Sequence, residues 1–138
     1  MTTTDGVRPA RRLGRSVLAV VGGLVAIFAA SMAMDELMYA LRVFPRPPAI
    51  TYETVPYLIA TAYRAAIGVG GCWIAARFAP SRPMRHALIL GGIGVLLSLA
   101  GTVAALTMEM GPIWYPIALV VVPPPAAWLG GRLAEGRR

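Results

Sequence analysis

Two carboxylates and one arginine lie where a chain this apolar has few reasons to place charge: Asp35, Glu36 and Arg64. Arg64 falls about nine residues into an otherwise uncharged run, roughly 13 Å deep if that run is helical at 1.5 Å per residue. Near the centre of a bilayer an arginine costs about 2.5–3.5 kcal/mol on insertion scales, so it calls for a partner. The run containing Asp35 and Glu36 and the run containing Arg64 are joined by a loop centred near residue 49 or 50. Reflection through that centre carries Arg64 onto Asp35, with Glu36 adjacent. A small-residue stripe of Gly22, Ala26, Ala29 and Ala33, extended to Glu36 and Ala40, puts Glu36 on the inward face and turns Asp35 about 100° away. The expectation is a buried pair of Arg64 with Glu36, with Asp35 as runner-up and Tyr39 or Tyr63 serving the remaining lone pairs. Such a pair either fixes helix register or forms an intramembrane polar site for an ion, a proton or a small ligand.

Other reactive side chains are sparse. Cys72 is the single cysteine and lies in an apolar run, where a thiol acts as a small hydrophobe. His86 is the single histidine, so no His/Cys metal set can form, and neither a metal nor a cofactor is expected. Enzymatic chemistry would need a nucleophile and a base converging on one point, and these residues supply no such set.

The elements that must position the charges follow from composition. The chain has 138 residues, 57% hydrophobic and 14% charged, with a net charge of +7. A soluble domain carries roughly 25% charged residues, so the bilayer is the simpler solvent. Four runs are long enough to span, at about residues 16–42, 54–78, 84–108 and 112–132, separated by Pro- and Gly-rich connections. This predicts an all-α, integral membrane four-helix bundle over 16–133, between an arginine-rich segment (1–15) and a short tail (134–138). The first run exceeds a usual signal-peptide core and its helical pattern continues past the weak Ala30-Ser31-Met32 site, which argues against cleavage.

Ten arginines (Arg8, Arg11, Arg12, Arg15, Arg77, Arg82, Arg85, Arg132, Arg137, Arg138) fall at one end of the runs, against Arg42 and Arg46 at the other. Short-loop arginines mark the cytoplasmic side, so N and C termini are expected in the cytoplasm of a bacterial-type inner membrane. Tyr39, Tyr52, Tyr57, Trp114 and Tyr115 gather at the opposite end, as an interfacial belt would. Nucleic acid is excluded as a partner, because these arginines are spent on topology.

Small residues at helical spacing predict how the helices meet. The second run carries Ala60, Arg64, Gly68, Gly71 and Ala75; the third carries Ala87, Gly91, Gly94, Ser98, Gly101 and Ala105. Close backbone approach across such faces is what holds helices together in lipid. Pro123, Pro124 and Pro125 predict a kink or break in the fourth run.

The stretches Ala62-Tyr63-Arg64 through Gly70-Gly71, Ala76-Arg77-Phe78-Ala79-Pro80, Pro83-Met84-Arg85-His86-Ala87, Trp114-Tyr115-Pro116 and Ala127-Trp128-Leu129-Gly130-Gly131-Arg132 resemble a group of small four-helix bacterial inner-membrane proteins. The resemblance implies a fold but no activity. Two functions remain. The leading one is a structural or accessory protein associating with copies of itself or a larger complex through small-residue faces. The alternative is an oligomeric small-solute or ion transporter or channel with a polar site at Arg64 and Glu36. A cavity reaching Arg64 favours transport; a dry pair flanked by packed glycines favours the scaffold.

Overall fold

The computed structural model describes residues 7–137, with side chains from residue 10. Residues 1–6 and Arg138, which belong to the expected arginine-rich segment and tail, lie outside the described residues, as does the side chain of Arg8. The chain is all-helical: α1 (Val7–Ala40), α2 (Thr54–Phe78), α3 (Pro83–Thr107), α4 (Trp114–Val121) and α5 (Pro123–Glu135). Four candidate spans are long and apolar enough to cross a membrane, the fourth being α4 and α5 together. Helix α1 starts well before Ser16, so most of the arginine-rich segment is helical.

Proline placement shows why the helices begin where they do. Pro56, Pro83 and Pro116 fall in the first turns of α2, α3 and α4, where a missing N–H breaks no intrahelical bond. Pro123, Pro124 and Pro125 occupy the first turn of α5 in the same way. They withdraw the donors that would reach the carbonyls of Leu119, Val120 and Val121, so the hydrogen-bond ladder breaks. Val122 between the segments nevertheless keeps right-handed helical angles, and its neighbours bridge the gap with Val122 N–H to Ala118 (3.0 Å) and Ala126 N–H to Val122 (3.2 Å).

Helices α1 and α3 both end with a charged residue in the left-handed region. Arg42 (φ 57°) follows α1, with Val43 N–H reaching Met38 and Arg42 N–H reaching Tyr39. Glu109 (φ 49°) follows α3, with Met110 N–H reaching Ala105. These 6→1 closures satisfy the last carbonyls in the manner of a Schellman motif.

Helices α2 and α3 touch each other at the centre of the bundle, and each also packs against α1 and against the α4–α5 segment. Among the described residues no Cα of α1 comes within 8 Å of one in α4 or α5. At one end the core is built from Cys72, Ala75, Ala76, Ala87, Leu90, Ala127 and Ala134. Close approach is obligatory there. A Cβ on Gly23 would meet the Gly71 carbonyl, one on Gly91 would meet Ala127, and one on Gly130 would meet the backbone of Val69 and Trp73. Large apolar side chains point outward instead, among them Leu18 (70% exposed), Leu96 (68%) and Val121 (64%). A soluble monomer rarely leaves an apolar surface of that extent uncovered.

The inward face of α1 differs from the expected stripe. Ala19, Gly23 and Ser31 are buried and Ile27 and Asp35 half-buried, a series in steps of four. Of the expected series, Gly22, Ala29, Ala33, Glu36 and Ala40 are exposed and only Ala26 is half-buried. The face is rotated by one residue, about 100°. Gly22 and Gly23 are adjacent, and it is Gly23 that lets α1 approach Gly71.

Candidate functional site

Among the described residues one charge cluster lies inside the bundle, and the rotation of α1 decides its membership. Asp35 pairs with Arg64: the guanidinium Nη2 donates to Oδ2 at 2.8 Å and to Oδ1 at 3.1 Å. The Tyr63 hydroxyl donates to Oδ1 as well, and the Tyr63 ring lies 5.8 Å from the guanidinium carbon. The expected preference for Glu36 is thereby corrected. Glu36 points outward, two-thirds exposed, and pairs with Arg46 of the α1–α2 connection at 3.3 Å. The same guanidinium of Arg46 rests over Tyr39, so Tyr39 serves the outer pair and Tyr63 the inner one.

Tyr115, from the first turn of α4, adjoins the inner cluster beside Arg64. Its ring packs tilted against Tyr57 with centroids 4.8 Å apart; Tyr57 meets Phe44, and Phe44 meets Tyr39, both edge to face. Five aromatic rings, with Trp114 edge-on to Tyr115, thus run from the end of α1 to the start of α4. The expected interfacial belt is in part an interior stack, since Tyr57 is only 7% exposed. Local bonds fix the stack. The Tyr57 hydroxyl donates to the Thr51 carbonyl (3.0 Å), and Tyr52 ties the two connections together by donating to the Glu109 carbonyl (3.2 Å). Gly111, at φ 128°, passes so close to the Tyr57 hydroxyl that only glycine fits.

Arg64 does not end against packed helix. It lines a cavity of about 470 Å³ between α1, α2, α3 and the α4–α5 segment. The walls are mostly apolar or small: Ile27 and Phe28 from α1, Leu97 and Gly101 from α3, Leu119 from α4. Polar groups on the wall are few, namely Ser31, Ser98, Thr102 and Tyr115 besides Arg64. Thr102 has a structural task, donating to the Pro116 carbonyl at 3.0 Å and so tying α3 to α4. The pair is about 30% exposed on both sides, and the Arg64 Nε is buried without a hydrogen-bond acceptor.

The five glycines expected at helix contacts divide between the two ends. Gly71 meets Ile27 and Gly23 of α1, Gly91 meets Ala127, Gly94 comes against Pro123, and Gly68 lies at ordinary contact from Ala126. A methyl group on Gly101 would find nothing within 4 Å; its side of α3 faces open space. The cavity therefore begins where the close contacts stop. Cys72 is buried at its floor, and His86 is a buried latch at the far end whose Nδ1 lies 3.2 Å from the Arg82 carbonyl. Among the described residues no three His, Cys, Asp or Glu side chains group as metal ligands.

Compared with known proteins, the chain matches no family model, no curated protein and no solved structure. The chemistry of the site is therefore read from its own geometry.

Proposed function

We propose that this chain is a bacterial inner-membrane protein, both termini cytoplasmic, that takes a small and largely apolar solute between its helices, as a carrier or as part of one. The observation that carries the reading is the cavity of about 470 Å³ reaching the Arg64–Asp35 pair. That volume lies within the range of small-molecule sites, which are apolar with a few convergent polar groups. A pair serving only to fix register would be expected to sit in close-packed surroundings, as the glycines near Gly71 and Gly91 do. Membrane embedding is supported by the four apolar spans and the outward-facing leucines and valines. Sidedness is supported by the arginine asymmetry, which a reporter enzyme fused within the Pro45–Ala49 connection or after the last residue would test. The site binds and orients; no catalytic step is assigned to it.

The test is native mass spectrometry of the protein released from membranes, comparing the wild type with Gly101→Trp. An indole there grows into open space and takes up part of the cavity. The wild type is expected to carry a non-covalent small-molecule adduct that Gly101→Trp lacks at unchanged secondary structure. Identical adducts on both, or none on either, would count against the reading.

A second reading, association with another copy or a larger complex, is favoured by one observation. Gly22, Ala29 and Ala33 face outward from α1, leaving a small-residue surface that another helix can approach closely. Cross-linking through Ala29→Cys in a Cys72→Ala background would detect a symmetric neighbour.

A further inference from the structure

The cavity's polar pole has an imbalance that selects its ligand. Resting on the binding reading above, we infer that the occupant carries a neutral hydrogen-bond acceptor, a ketone or ester carbonyl, at one end of an apolar body. Arginine brings five N–H donors and no acceptor, and Tyr63 and Tyr115 each bring a hydroxyl. Against these stand the lone pairs of the two hydroxyls and one carboxylate, Asp35, whose Oδ1 already receives both Tyr63 and Arg64 and whose Oδ2 receives Arg64. The Arg64 Nε has no acceptor at all. The donors of Arg64 are thus not all matched, and its side chain, 31% exposed, lines the cavity.

Charge decides which acceptor fits. Arg64 and Asp35 cancel, so the pole is neutral as built. A carboxylate or phosphate entering it would leave a net negative charge in an apolar enclosure, which is costly unless paired. A carbonyl oxygen supplies lone pairs and adds no charge. The Arg64 end takes the oxygen; Leu97, Leu119, Ile27 and Phe28 take the hydrocarbon. Membrane lipids and free lipophilic solutes share this chemistry.

The full chain in nanodiscs of ether-linked phosphocholine, whose lipids bear no carbonyl, separates the possibilities. Thermal stability is followed by tryptophan emission while methyl decanoate, decane or decanoate is added as mole fraction in the disc. Binding to the folded state raises Tm with ligand concentration. The ester is expected to bind about tenfold or more tightly than decane, the typical worth of a hydrogen bond to a charged group. Decanoate is expected to bind more weakly than its ester. Gly101→Trp should weaken the response to ester and alkane alike, and Asp35→Leu with Arg64→Met should keep the alkane response while losing the ester's advantage. The wild-type ranking decides even where the double variant does not fold. Equal binding of ester and decane overturns the carbonyl assignment and leaves the cavity reading standing, as does tightest binding of decanoate. No response to any probe overturns both. Replacing the ether discs with ester-lipid discs tells the sources apart: a lipid occupant suppresses the methyl decanoate response, and a free solute leaves it intact.

Discussion

The two ends of this bundle are built from the same small residues and do opposite things with them. Near the termini, Gly23, Gly71, Gly91 and Gly130 bring backbones into contact and the core is largely alanine. Toward the α1–α2 and α3–α4 connections, Gly101 and Ala105 sit on the same face of α3, yet they border open space. Small residues permit close approach but do not compel it; a partner helix must arrive. At the open end α1 stays clear of α4, and the space between them is left to Arg64 and an aromatic cap. Packing density thus separates a close-packed half from a half that keeps a cavity.

The comparison breaks most severely at Gly130. A leucine there would drive into the Val69 carbonyl and the Trp73 amide, backbone that cannot step aside. Gly130→Leu is expected to cost about 3 kcal/mol or more, as overpacking against backbone does, read as loss of the folded fraction in a denaturant titration in mixed micelles. At the open end Asp35→Leu strands Arg64, with an expected loss of about 3 kcal/mol, the lower part of the range for breaking an enclosed pair. Asp35→Leu combined with Arg64→Leu should recover most of that loss in the same titration, since two apolar groups leave no charge behind. Thr102→Val removes the tie from α3 to Pro116 and should cost about 1 kcal/mol. Glu36→Gln, which touches only the exposed pair with Arg46, should cost less than about 1 kcal/mol and vanish at high salt.

The four apolar spans and the depth match between Arg64 and the Asp35–Glu36 dipeptide were legible in the sequence because run length and loop symmetry are one-dimensional quantities. The choice between the two carboxylates was not. Gly22 and Gly23 define two faces of α1 that small-residue spacing alone cannot rank; stepping by four from Gly23 through Ile27 and Ser31 reaches Asp35, while the series from Gly22 reaches Glu36. Arg46, close enough to claim Glu36, was the available signal. The cavity was hidden for a different reason. Gly94, Ser98 and Gly101 read as one continuous packing stripe, and whether α1 or α4 comes up to meet it depends on the path of the connections, which carries no periodic signature. Tyr115 was missed as a neighbour of Arg64 because an aromatic near a helix start reads equally well as an interfacial anchor.

The most direct test of a bundle closed at one end and open at the other is the same substitution made twice on α3. Leucine at Gly91 meets Ala127, whereas leucine at Gly101 meets nothing within 4 Å at its first carbon. Unfolding of Gly91→Leu and Gly101→Leu in the same micelles should place the first about 3 kcal/mol below the wild type. The second should lie level with the wild type or up to about 0.8 kcal/mol above it, from the gain in helix propensity over glycine. Equal losses at the two positions would mean that no space is kept beside Arg64, and the account would fail.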